Sequence, residues 1–463
     1  MNNDTNHNPE TVEPQNPKQE PQTIWELLPL IWDVRMLWIF LLGFCSGYPW
    51  AVWSSCQVVW LKDLDVAKST IGLFSLLGTG YAINWLWAPI VDHVRIPVLN
   101  RIGHWKSWLL LCLLIMCAAT FCVSFFVVFK PDSDPVPVLT LFAFYLLVIA
   151  WASATLDIVT PAYRINIIKP SETRLIGVAA SMEVAGWWVG FGVPAGFALF
   201  WVDQLGWNMT YGGLAALFLL LALIVTFGIQ EPARAPRPPI KRFIDLLDRT
   251  HFGALLEFFK RNGFVLALFI LLFVFSFKLG EAFLGRMSLV FYKEVGFTSQ
   301  QIGILSKWVG TAITVGGSIV AGLFIVRFKI LPTLIVSGIG MAATNLMFAW
   351  IAMNAAKHGI PSETLYLWTT ILDGISGAIA TMAFVSFITH YTSRVHSATQ
   401  YAALASIGTL GRTTLAAFSG FLVEGLGNNW SLFFVLTALM VIPALMLLWP
   451  LHRSMKRQTV SSE

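Results

Sequence analysis

Ionisable side chains inside long apolar stretches are the first candidates for chemistry in this sequence. At the centre of a lipid bilayer such a side chain costs about 2.5 to 3.5 kcal/mol on insertion scales, so each is a candidate functional group if these stretches cross a membrane. Carboxylates in that setting can take up and release protons, and cations can bind an anionic ligand. The residues concerned are Asp157, Glu183, Lys278, Glu281, Arg286, Lys307, Asp373 and Arg412.

The carboxylates Asp157, Glu183, Glu281 and Asp373 are candidates for proton coupling. A carboxyl group that is alternately buried and paired with a cation changes its affinity for a proton, and can therefore bind and release one during a cycle. Lys278 and Glu281 are three residues apart and share a helical face, so they either serve function or form a neutralised structural pair. For each carboxylate the alternative is a role that only braces helix contacts.

The cations Lys278, Lys307 and Arg412 are candidate ligands for an anion. The planar guanidinium group of Arg412 can engage a carboxylate through two parallel hydrogen bonds. Arg412 could instead fix its own helix to Asp373. Arg286 lies nearer the end of its apolar stretch and can extend towards the membrane surface, so it ranks below the others.

The elements that must position these residues are membrane-spanning helices. The chain has 463 residues and is 56% hydrophobic and 12% charged, whereas soluble domains carry about 25% charged residues. A spanning helix needs roughly 20 apolar residues, because its backbone polar groups must be satisfied within the segment. The sequence predicts an all-α membrane protein with twelve transmembrane helices in two six-helix bundles. The predicted spans are Met36 to Trp60, Thr70 to Val91, Trp108 to Phe129, Val136 to Thr160, Ile176 to Val202, Met209 to Ile229, Phe264 to Phe291, Ile302 to Val326, Leu331 to Met353, Thr364 to Thr389, Ala398 to Val423 and Trp430 to Leu451.

Polar segments divide the chain and set its predicted orientation. Residues 1–24 are rich in Asn, Pro, Gln, Thr and Glu and are predicted to form a disordered tail. Lys and Arg concentrate in the connections that follow the even-numbered spans, which places both termini in the cytoplasm. The predicted units are the cytoplasmic tail at 1–24, an N-terminal bundle at 25–229, a cytoplasmic linker at 230–262, a C-terminal bundle at 263–451 and a cytoplasmic C-terminal tail at 452–463.

A short repeat supports the division into halves. The motif Thr70-Ile-Gly-Leu-Phe-Ser-Leu-Leu-Gly78 recurs as Gln301-Ile-Gly-Ile-Leu-Ser-Lys-Trp-Val-Gly310, at the same place in the second half. Short apolar matches arise by chance, but the matching position favours duplication.

Several function classes are disfavoured by what the sequence lacks. It contains no H-E-x-x-H, G-x-S-x-G or Walker A motif, so we do not predict an enzyme. The 5 cysteines form no C-x-x-C pair, and we expect no metal, disulfide or cofactor. The net charge of +5 is attributed to membrane topology rather than to a nucleic-acid partner.

Six motifs carry a resemblance to a known family. From about Leu41 to Leu451 the sequence resembles the AmpG permeases, of the peptide, acetyl-coenzyme A and drug transporter group of the major facilitator superfamily. The resemblance implies proton-driven import of anhydromuropeptides, which are peptidoglycan fragments, from the periplasm across the inner membrane of a Gram-negative cell. The motifs are Gly43-Phe-Cys-Ser-Gly-Tyr-Pro49, Thr70-Ile-Gly-Leu-Phe-Ser75, Leu86-Trp-Ala-Pro-Ile-Val-Asp92, Ser153-Ala-Thr-Leu-Asp-Ile-Val159, Lys278-Leu-Gly-Glu-Ala-Phe283 and Ser397-Ala-Thr-Gln-Tyr-Ala-Ala-Leu404.

The resemblance also implies roles for single residues. Asp157 matches an Asp of the family's fourth span, and Asp373 falls where the family has a Glu in span ten. Lys307 matches a family Lys, and Arg412 matches the Arg of a Gly-Arg pair. The predicted partners are a small anionic sugar-peptide, protons and the lipid bilayer, and the expected state is a monomer.

Gating and aromatic contacts follow from the same resemblance. Asp92 with Arg101 and Lys106 looks like the cytoplasmic loop signature of the superfamily, so these residues are assigned to the inner gate. Most of the 20 tryptophans are expected in the core and at the membrane surfaces. The tryptophans in spans that face the central cavity in this superfamily are candidates for stacking on a sugar ring: Trp53, Trp187 and Trp188, with Trp50 beside them.

The sequence departs from the family pattern in the first half. Asn84 replaces a Lys, Leu156 replaces a Gln, Pro161 replaces a second acidic residue and Trp188 replaces an Arg, while Glu183 is an additional acid. These departures support a first alternative, an importer of another bulky polar ligand such as a siderophore. A separate alternative is a membrane sensor without flux, or a membrane enzyme.

Overall fold

A computed structural model of the chain describes residues 32–126, 135–168, 172–232, 253–359, 362–392 and 397–460. Within these ranges every regular element is a helix, as the all-α prediction requires. The predicted disordered tail at 1–24 and the central part of the predicted 230–262 linker lie outside the described residues.

The first half contains helices with several interruptions. A π-helical turn at Ala51–Cys56 joins α1 to α2, and 3-10 turns at Phe74–Gly78 and Asn84–Leu86 interrupt the next span. Gly206 has non-helical angles (φ 75°, ψ 162°) and divides α8 into two segments. The helices are α1 (Val34–Trp50), α2 (Gln57–Asp63), α3 (Lys68–Leu73), α4 (Thr79–Ile83), α5 (Ala88–His93), α6 (His104–Phe126), α7 (Pro135–Ile167) and α8 (Thr173–Gly228).

The second half is built in a similar way. Phe277 and Lys278 separate α10 from α11, and π-helical turns occupy Gly303–Val309 and Gly411–Leu415. The helices are α9 (Gly253–Asn262), α10 (Phe264–Ser276), α11 (Leu279–Glu294), α12 (Ser299–Ile302), α13 (Gly310–Phe328), α14 (Ile330–His358), α15 (Glu363–Tyr391), α16 (Ser397–Leu410), α17 (Ser419–Gly425), α18 (Trp430–Leu439) and α19 (Val441–Val460).

The described residues contain 8 helices that are long and apolar enough to cross a membrane. The span predicted at Thr70 to Val91 is broken into short helical pieces, so length alone does not identify it. The predicted spans Ile176 to Val202 and Met209 to Ile229 lie on either side of the kink at Gly206 and are therefore counted as one helix. The predicted number of twelve spans therefore stays a prediction.

The turns that end α2 and α11 share one pattern of backbone hydrogen bonds. Asp65 and Gly296 both have positive φ, 53° and 102° respectively. The N–H of Asp65 donates to the carbonyl group of Lys62 (3.0 Å), and the N–H of Gly296 donates to that of Lys293 (3.2 Å). In both turns the next N–H donates to the carbonyl group five residues earlier, at 3.0 Å. This shared pattern, shortly before the repeated Ile-Gly motif, supports duplication of an ancestral half.

The two halves touch closely at one end of the molecule. Gly72 of α3 lies against Ala417, and a Cβ atom on Gly72 would be 2.6 Å from the Ala417 carbonyl oxygen. Gly420 of α17 lies even closer to the backbone of Lys68. Small residues allow such close helix contacts in membranes. We call this end, which carries the turns at Asp65 and Gly296, the closed end.

The apolar cores follow the same asymmetry. The larger core runs from the first half into the second and includes Leu42, Phe218, Phe291 and Phe434. A separate core, which includes Phe387, is confined to the second half. We call the end opposite the closed end, where α1 begins, the tail end.

Candidate functional site

Two cavities lie between the halves, and both are bordered by Trp188 of the first half and by Thr314 and Asp373 of the second. The first has a volume of about 170 Å³ and reaches Lys307. The second has a volume of about 210 Å³ and reaches Glu281. We call the two cavities together the central chamber. Typical sites for drug-sized ligands measure about 300–1,000 Å³, so each cavity must widen to admit a ligand of that size.

Lys307 is a buried cation at the seam between the halves. Its residue is 8% exposed, and its Nζ donates a hydrogen bond to Ser55 Oγ of the first half (2.8 Å). The same Nζ lies 4.8 Å from the ring centroid of Phe191. Among the described residues Lys307 forms no ion pair, so its charge is balanced only by a hydroxyl group and a ring face.

Lys278 and Glu281 form the pair that their spacing predicts. Lys278 Nζ donates to Glu281 Oε2 (2.5 Å) and to Thr381 Oγ1 (2.9 Å). Lys278 is buried at the break between α10 and α11, while the Glu281 side chain is 35% exposed. Because Glu281 also borders the chamber, this pair presents its acid rather than its cation to the cavity.

Asp373 and Arg412 are not joined in this structure. Asp373 borders both cavities, and its Oδ1 accepts a hydrogen bond from Thr344 Oγ1 (2.8 Å). Arg412 is an exposed residue on the π-helical turn Gly411–Leu415 and forms no ion pair with any residue that the structure describes. The suggested lock between the two is therefore absent from this conformation.

The acids of the first half have different partners. Asp157 of α7 accepts a hydrogen bond from Ser46 of α1. Glu183 of α8 forms an ion pair with Arg164 of α7 at 2.9 Å. Arg164 lies beyond the predicted span Val136 to Thr160 and was therefore not predicted as a partner, whereas α7 extends to Ile167.

The tryptophans cluster on the first-half side of the chamber. The rings of Trp50 and Trp53 are 4.7 Å apart, and those of Trp187 and Trp188 are 5.0 Å apart. Trp50 also contacts Trp187, at 5.9 Å. Trp188 borders both cavities, whereas Trp53 is 2% exposed and its Nε1 donates to Tyr81 Oη (3.3 Å). Of the predicted aromatic ligands, Trp188 is thus the one already placed at the chamber.

The closed end carries a set of charged residues that are not among the predicted site residues. Lys62 and Lys68 of the first half pair with Glu294 of the second at 3.1 and 2.8 Å. In the opposite sense, Lys293 of the second half pairs with Asp63 of the first at 2.9 Å. We call these five residues the closed-end clamp. A signal was present, because the Lys-acid dipeptide occurs in each half at the same distance before the repeated Ile-Gly motif.

Two indole groups complete the clamp. Trp207 Nε1, at the start of the second segment of α8, donates to Asp63 Oδ2 (3.0 Å). Trp430 Nε1, at the start of α18, donates to Glu294 Oε2 (2.8 Å). Each acid of the clamp therefore receives one indole of its own half and at least one lysine of the other half.

The predicted gating residues lie at the tail end. Arg101 is exposed on a 3-10 turn, and the backbone N–H of Lys106 donates to Glu231 Oε2 (3.1 Å). The N–H of Trp105 donates to the other oxygen of Glu231 (2.9 Å). Asp92 lies in the last turn of α5, but its side chain is outside what the structure describes, so the predicted gate pair stays a prediction.

A further contact at the tail end ties α1 to α8. Asp33 accepts a hydrogen bond from the N–H of Arg35 (2.8 Å) and caps α1. The Arg35 guanidinium group also pairs with Glu172 at 2.9 Å. The hydrogen bond from the Arg35 side chain holds the pKa of Asp33 below its usual value.

The fold and the chamber between two similar halves agree with comparisons to known proteins. The profile of the Major Facilitator Superfamily matches residues 39–360. The solved structure of the POT family transporter PepTSo is similar at a TM-score of 0.69 and 12% identity, covering 92% of this chain and 99% of that one. The nucleoside transporter NupG is similar at 0.67 and 16% identity, covering 89% of this chain and 98% of that one. The chain is thus a multi-pass membrane transporter of the major facilitator superfamily and not an enzyme.

Curated relatives narrow this class further. A protein named putative transporter AmpG 4, from Rickettsia conorii, is 32% identical over 423 residues, which cover 91% of this chain and 97% of that protein. The protein named anhydromuropeptide permease, from Escherichia coli K12, is 30% identical over 414 residues, which cover 89% of this chain and 78% of that protein. The chain belongs to the AmpG permease family, and the predicted fold and family are confirmed.

Proposed function

We propose that this protein is a proton-coupled importer that carries anhydromuropeptides from the periplasm to the cytoplasm across the bacterial inner membrane. The observation that carries the proposal is Lys307, a buried cation at the chamber that forms no ion pair among the described residues. A carboxylate of an acidic sugar-peptide would supply the missing partner, because a cation in a low-dielectric site attracts an anion strongly. The Escherichia coli relative, an anhydromuropeptide permease by name, supports this substrate class.

Of the other predicted ligand groups, Trp188 borders both cavities, whereas Lys278, Arg412 and Trp187 would have to turn towards the chamber to join the site. Lys278 and Arg412 provide further positive charge for a peptide carboxylate, and Trp187 and Trp188 provide aromatic faces for a sugar ring. Trp53 is buried in the present conformation, so it joins the site only when the aromatic cluster opens.

Asp157 and Asp373 are the proton carriers that we favour. Each accepts a hydrogen bond from a hydroxyl group and forms no ion pair with a described residue, so each can hold a proton without breaking such a pair. Glu183 and Glu281 are neutralised by a cation and would have to exchange that cation for a proton. A proton entering down a membrane potential of 100 mV gains about 2.3 kcal/mol, which can drive accumulation.

Alternating access assigns opposite roles to the two ends. The tail end faces the cytoplasm in this proposal because the Lys-rich and Arg-rich connections lie there, and the closed end therefore faces the periplasm. Import requires the closed-end clamp to open while the loop of Asp92, Arg101 and Lys106 closes the inner side. Because one chain forms the whole chamber, a monomer suffices.

Counterflow in proteoliposomes with labelled anhydromuropeptide tests the substrate class. Replacing Lys307 by Gln should raise the substrate concentration for half-maximal counterflow about tenfold or more, because a charge-assisted hydrogen bond contributes about 1.5–3 kcal/mol. Lys357→Gln, at an exposed lysine of α14, is the matched control and should leave uptake unchanged. Unchanged half-saturation in Lys307→Gln would remove that residue from the site, and absence of uptake by the wild-type protein would reject the substrate.

A proton gradient separates coupling from binding. Asp157→Asn should abolish accumulation against a gradient while counterflow continues, because an amide cannot carry the proton. Asp203→Asn, at an exposed acid of α8, should concentrate substrate normally. A variant at Asp157 that still accumulates substrate would shift the role to Asp373.

Import of another bulky polar ligand, such as a siderophore, is the second candidate. Trp188 stands at the chamber where the family has an Arg, and Glu183 is held by Arg164, so the first half differs from the family pattern at the site. Counterflow with a labelled siderophore in place of labelled anhydromuropeptide distinguishes the two, since a carrier exchanges only a compound that it transports.

A further inference from the structure

The charged groups at the central chamber are separated by sign. Lys307 borders only the first cavity and Glu281 only the second, while Asp373 borders both. Lys307 and Asp373 therefore face the same cavity, yet neither forms an ion pair with any residue that the structure describes. Opposite charges at a low-dielectric cavity attract each other strongly. A solute that carries both signs of charge can therefore bridge the gap that keeps these two side chains apart.

The border of the second cavity is acidic. Glu281 and Asp373 are two of its side chains, and no Lys, Arg or His of the described residues borders it. Lys278 donates to Glu281 Oε2 at 2.5 Å, but its own side chain is only 5% exposed, so the lysine lies behind the acid. One cation thus serves two carboxylates, and an ionised Asp373 has no counter-charge at this cavity.

The neutral polar side chains of the same cavity offer acceptors. Three hydroxyl groups each donate to the carbonyl group four residues earlier in the same helix: Thr314 at 2.8 Å, Ser318 at 2.7 Å and Thr381 at 2.7 Å. A hydroxyl group has a single proton to donate, so only its oxygen lone pairs remain for a ligand. The amide nitrogen of Asn345, which also borders the cavity, donates to Thr437 Oγ1 (3.1 Å).

Charge and hydrogen bonding thus call for the same kind of ligand. An ammonium group is cationic, has three N–H donors and has no acceptor, so it matches both the acids and the oxygen lone pairs. The cavity volume of about 210 Å³ exceeds the roughly 30 Å³ that a water molecule occupies in the liquid. The space is therefore sufficient for an ammonium group together with the carbon atoms that carry it.

We propose that the second cavity binds an ammonium group of the transported solute between Asp373 and Glu281, while Lys307 binds a carboxylate of the same molecule at the first cavity. This inference rests on the proposed import of a sugar-peptide and specifies a zwitterionic one, with a free amino group as well as a carboxylate. Trp188 borders both cavities, so it contacts the part of the solute that joins the two groups. An ammonium group at Asp373 excludes a proton there, which leaves Asp157 to carry the coupled proton.

Two matched compounds test the assignment on the purified full-length protein. Wild-type protein should bind an anhydromuropeptide with a free amino group on its peptide about tenfold to a hundredfold more tightly than the same compound with that amino group acetylated. Asp373→Asn should bind both forms equally, and Asp373→Ser serves if the Asn variant does not fold. Asp203→Asn, at an exposed acid, should keep the wild-type preference. Retention of that preference by the Asp373 variant would refute the assignment.

A variant of the first cavity shows where the preference arises. Lys307→Gln should weaken binding of both compounds by the same factor, because both keep the carboxylate that Lys307 binds. Its preference for the free amino group should equal that of the wild-type protein. If Lys307→Gln also loses the preference, the amino group is not recognised at the second cavity, and the proposal is overturned.

A small probe distinguishes failure of this inference from failure of the proposed import. Methylammonium chloride should raise the Tm of the wild-type protein more than sodium chloride at the same concentration, because a ligand that binds only the folded state stabilises it. Asp373→Asn should remove this difference. If wild-type protein takes up no anhydromuropeptide but shows the methylammonium effect, the substrate is wrong and the ammonium site stands. Equal effects of the two salts, or a methylammonium effect that persists in Asp373→Asn, would refute the ammonium site and leave the import intact.

Discussion

The two ends of the molecule differ in the direction of their polar contacts. At the closed end the ion pairs of Lys62, Lys68 and Lys293 cross from one half to the other. At the tail end the pair of Arg35 with Glu172 stays within the first half. The larger apolar core also spans both halves, whereas the second core belongs to one. Opening the closed end therefore requires ion pairs between the halves to break. Opening the tail end leaves the pair of Arg35 with Glu172 intact.

The closed-end clamp shows how duplication builds a gate. Each half supplies a Lys-acid dipeptide at the end of a helix, and each lysine pairs with the acid of the other half. Partly buried pairs of this kind contribute about 1 kcal/mol or somewhat more each. A set of them therefore supplies the few kcal/mol that separate two conformations in a switching protein.

The largest predicted effect blocks the close backbone contact at the closed end. Gly420→Val should prevent closure, because even a Cβ atom at Gly420 overlaps the backbone of Lys68. Overpacking costs about 1–3 kcal/mol, so the closed population and the counterflow rate should fall about tenfold to a hundredfold. Gly425→Val on the same helix meets nothing within 4 Å and is the control. Spin-label distances between α3 and α17 check the outcome, and equal rates for both variants would show that this contact does not close.

An intermediate effect is expected from reversing one pair of the clamp. Lys293→Asp places two carboxylates together beside Asp63 and should lower the closed population about tenfold, since coupling in such pairs is about 0.5–3 kcal/mol. The double variant Asp63→Lys with Lys293→Asp should restore counterflow to within about threefold of wild type. A double variant no better than the single one would mean that the two side chains do not stabilise closure by their charges.

The smallest effect is expected at the tail end. The lowered pKa of Asp33 means that its carboxylate stabilises the folded state above about pH 4, and that this contribution is lost as the pH falls through the lowered pKa. Asp33→Asn should therefore lower the Tm slightly at pH 7, with the difference disappearing in acid, and should not change counterflow. Thermal unfolding at several pH values measures this, and a large loss of transport would contradict the contrast between the ends.

The sequence alone was sufficient to predict the features that depend on composition and on local spacing. The apolar windows predict helices throughout the described chain, and the three-residue spacing predicts the pair of Lys278 and Glu281. Contacts between distant segments were not accessible in the same way. Arg164 was not recognised as the partner of Glu183, because the end of α7 could not be located to within one turn.

Burial and cross-half pairing are the other features that required the fold. Trp53 was predicted to face a ligand, but its indole donates to a neighbouring hydroxyl group in the packed interior. Arg286 was expected near the membrane surface, and only the packing of α11 shows that it is enclosed. The repeated Lys-acid dipeptide was visible in the sequence. That each lysine pairs with the acid of the other half follows only from the way the fold places the two halves against each other.

The π-helical turns have a mechanical consequence. Trp53 and Ser55 lie in the turn at Ala51–Cys56, Lys307 in that at Gly303–Val309 and Arg412 in that at Gly411–Leu415. Such a turn contains one residue more than an α-helix would place there. If the extra residue shifts its position along the helix, the side chains between its old and new positions rotate by about 100°, while that part of the helix moves by only about 1.5 Å along its axis. Each of these helices can therefore turn one side chain towards or away from the solute by a local rotation, while the two ends of the helix stay in place.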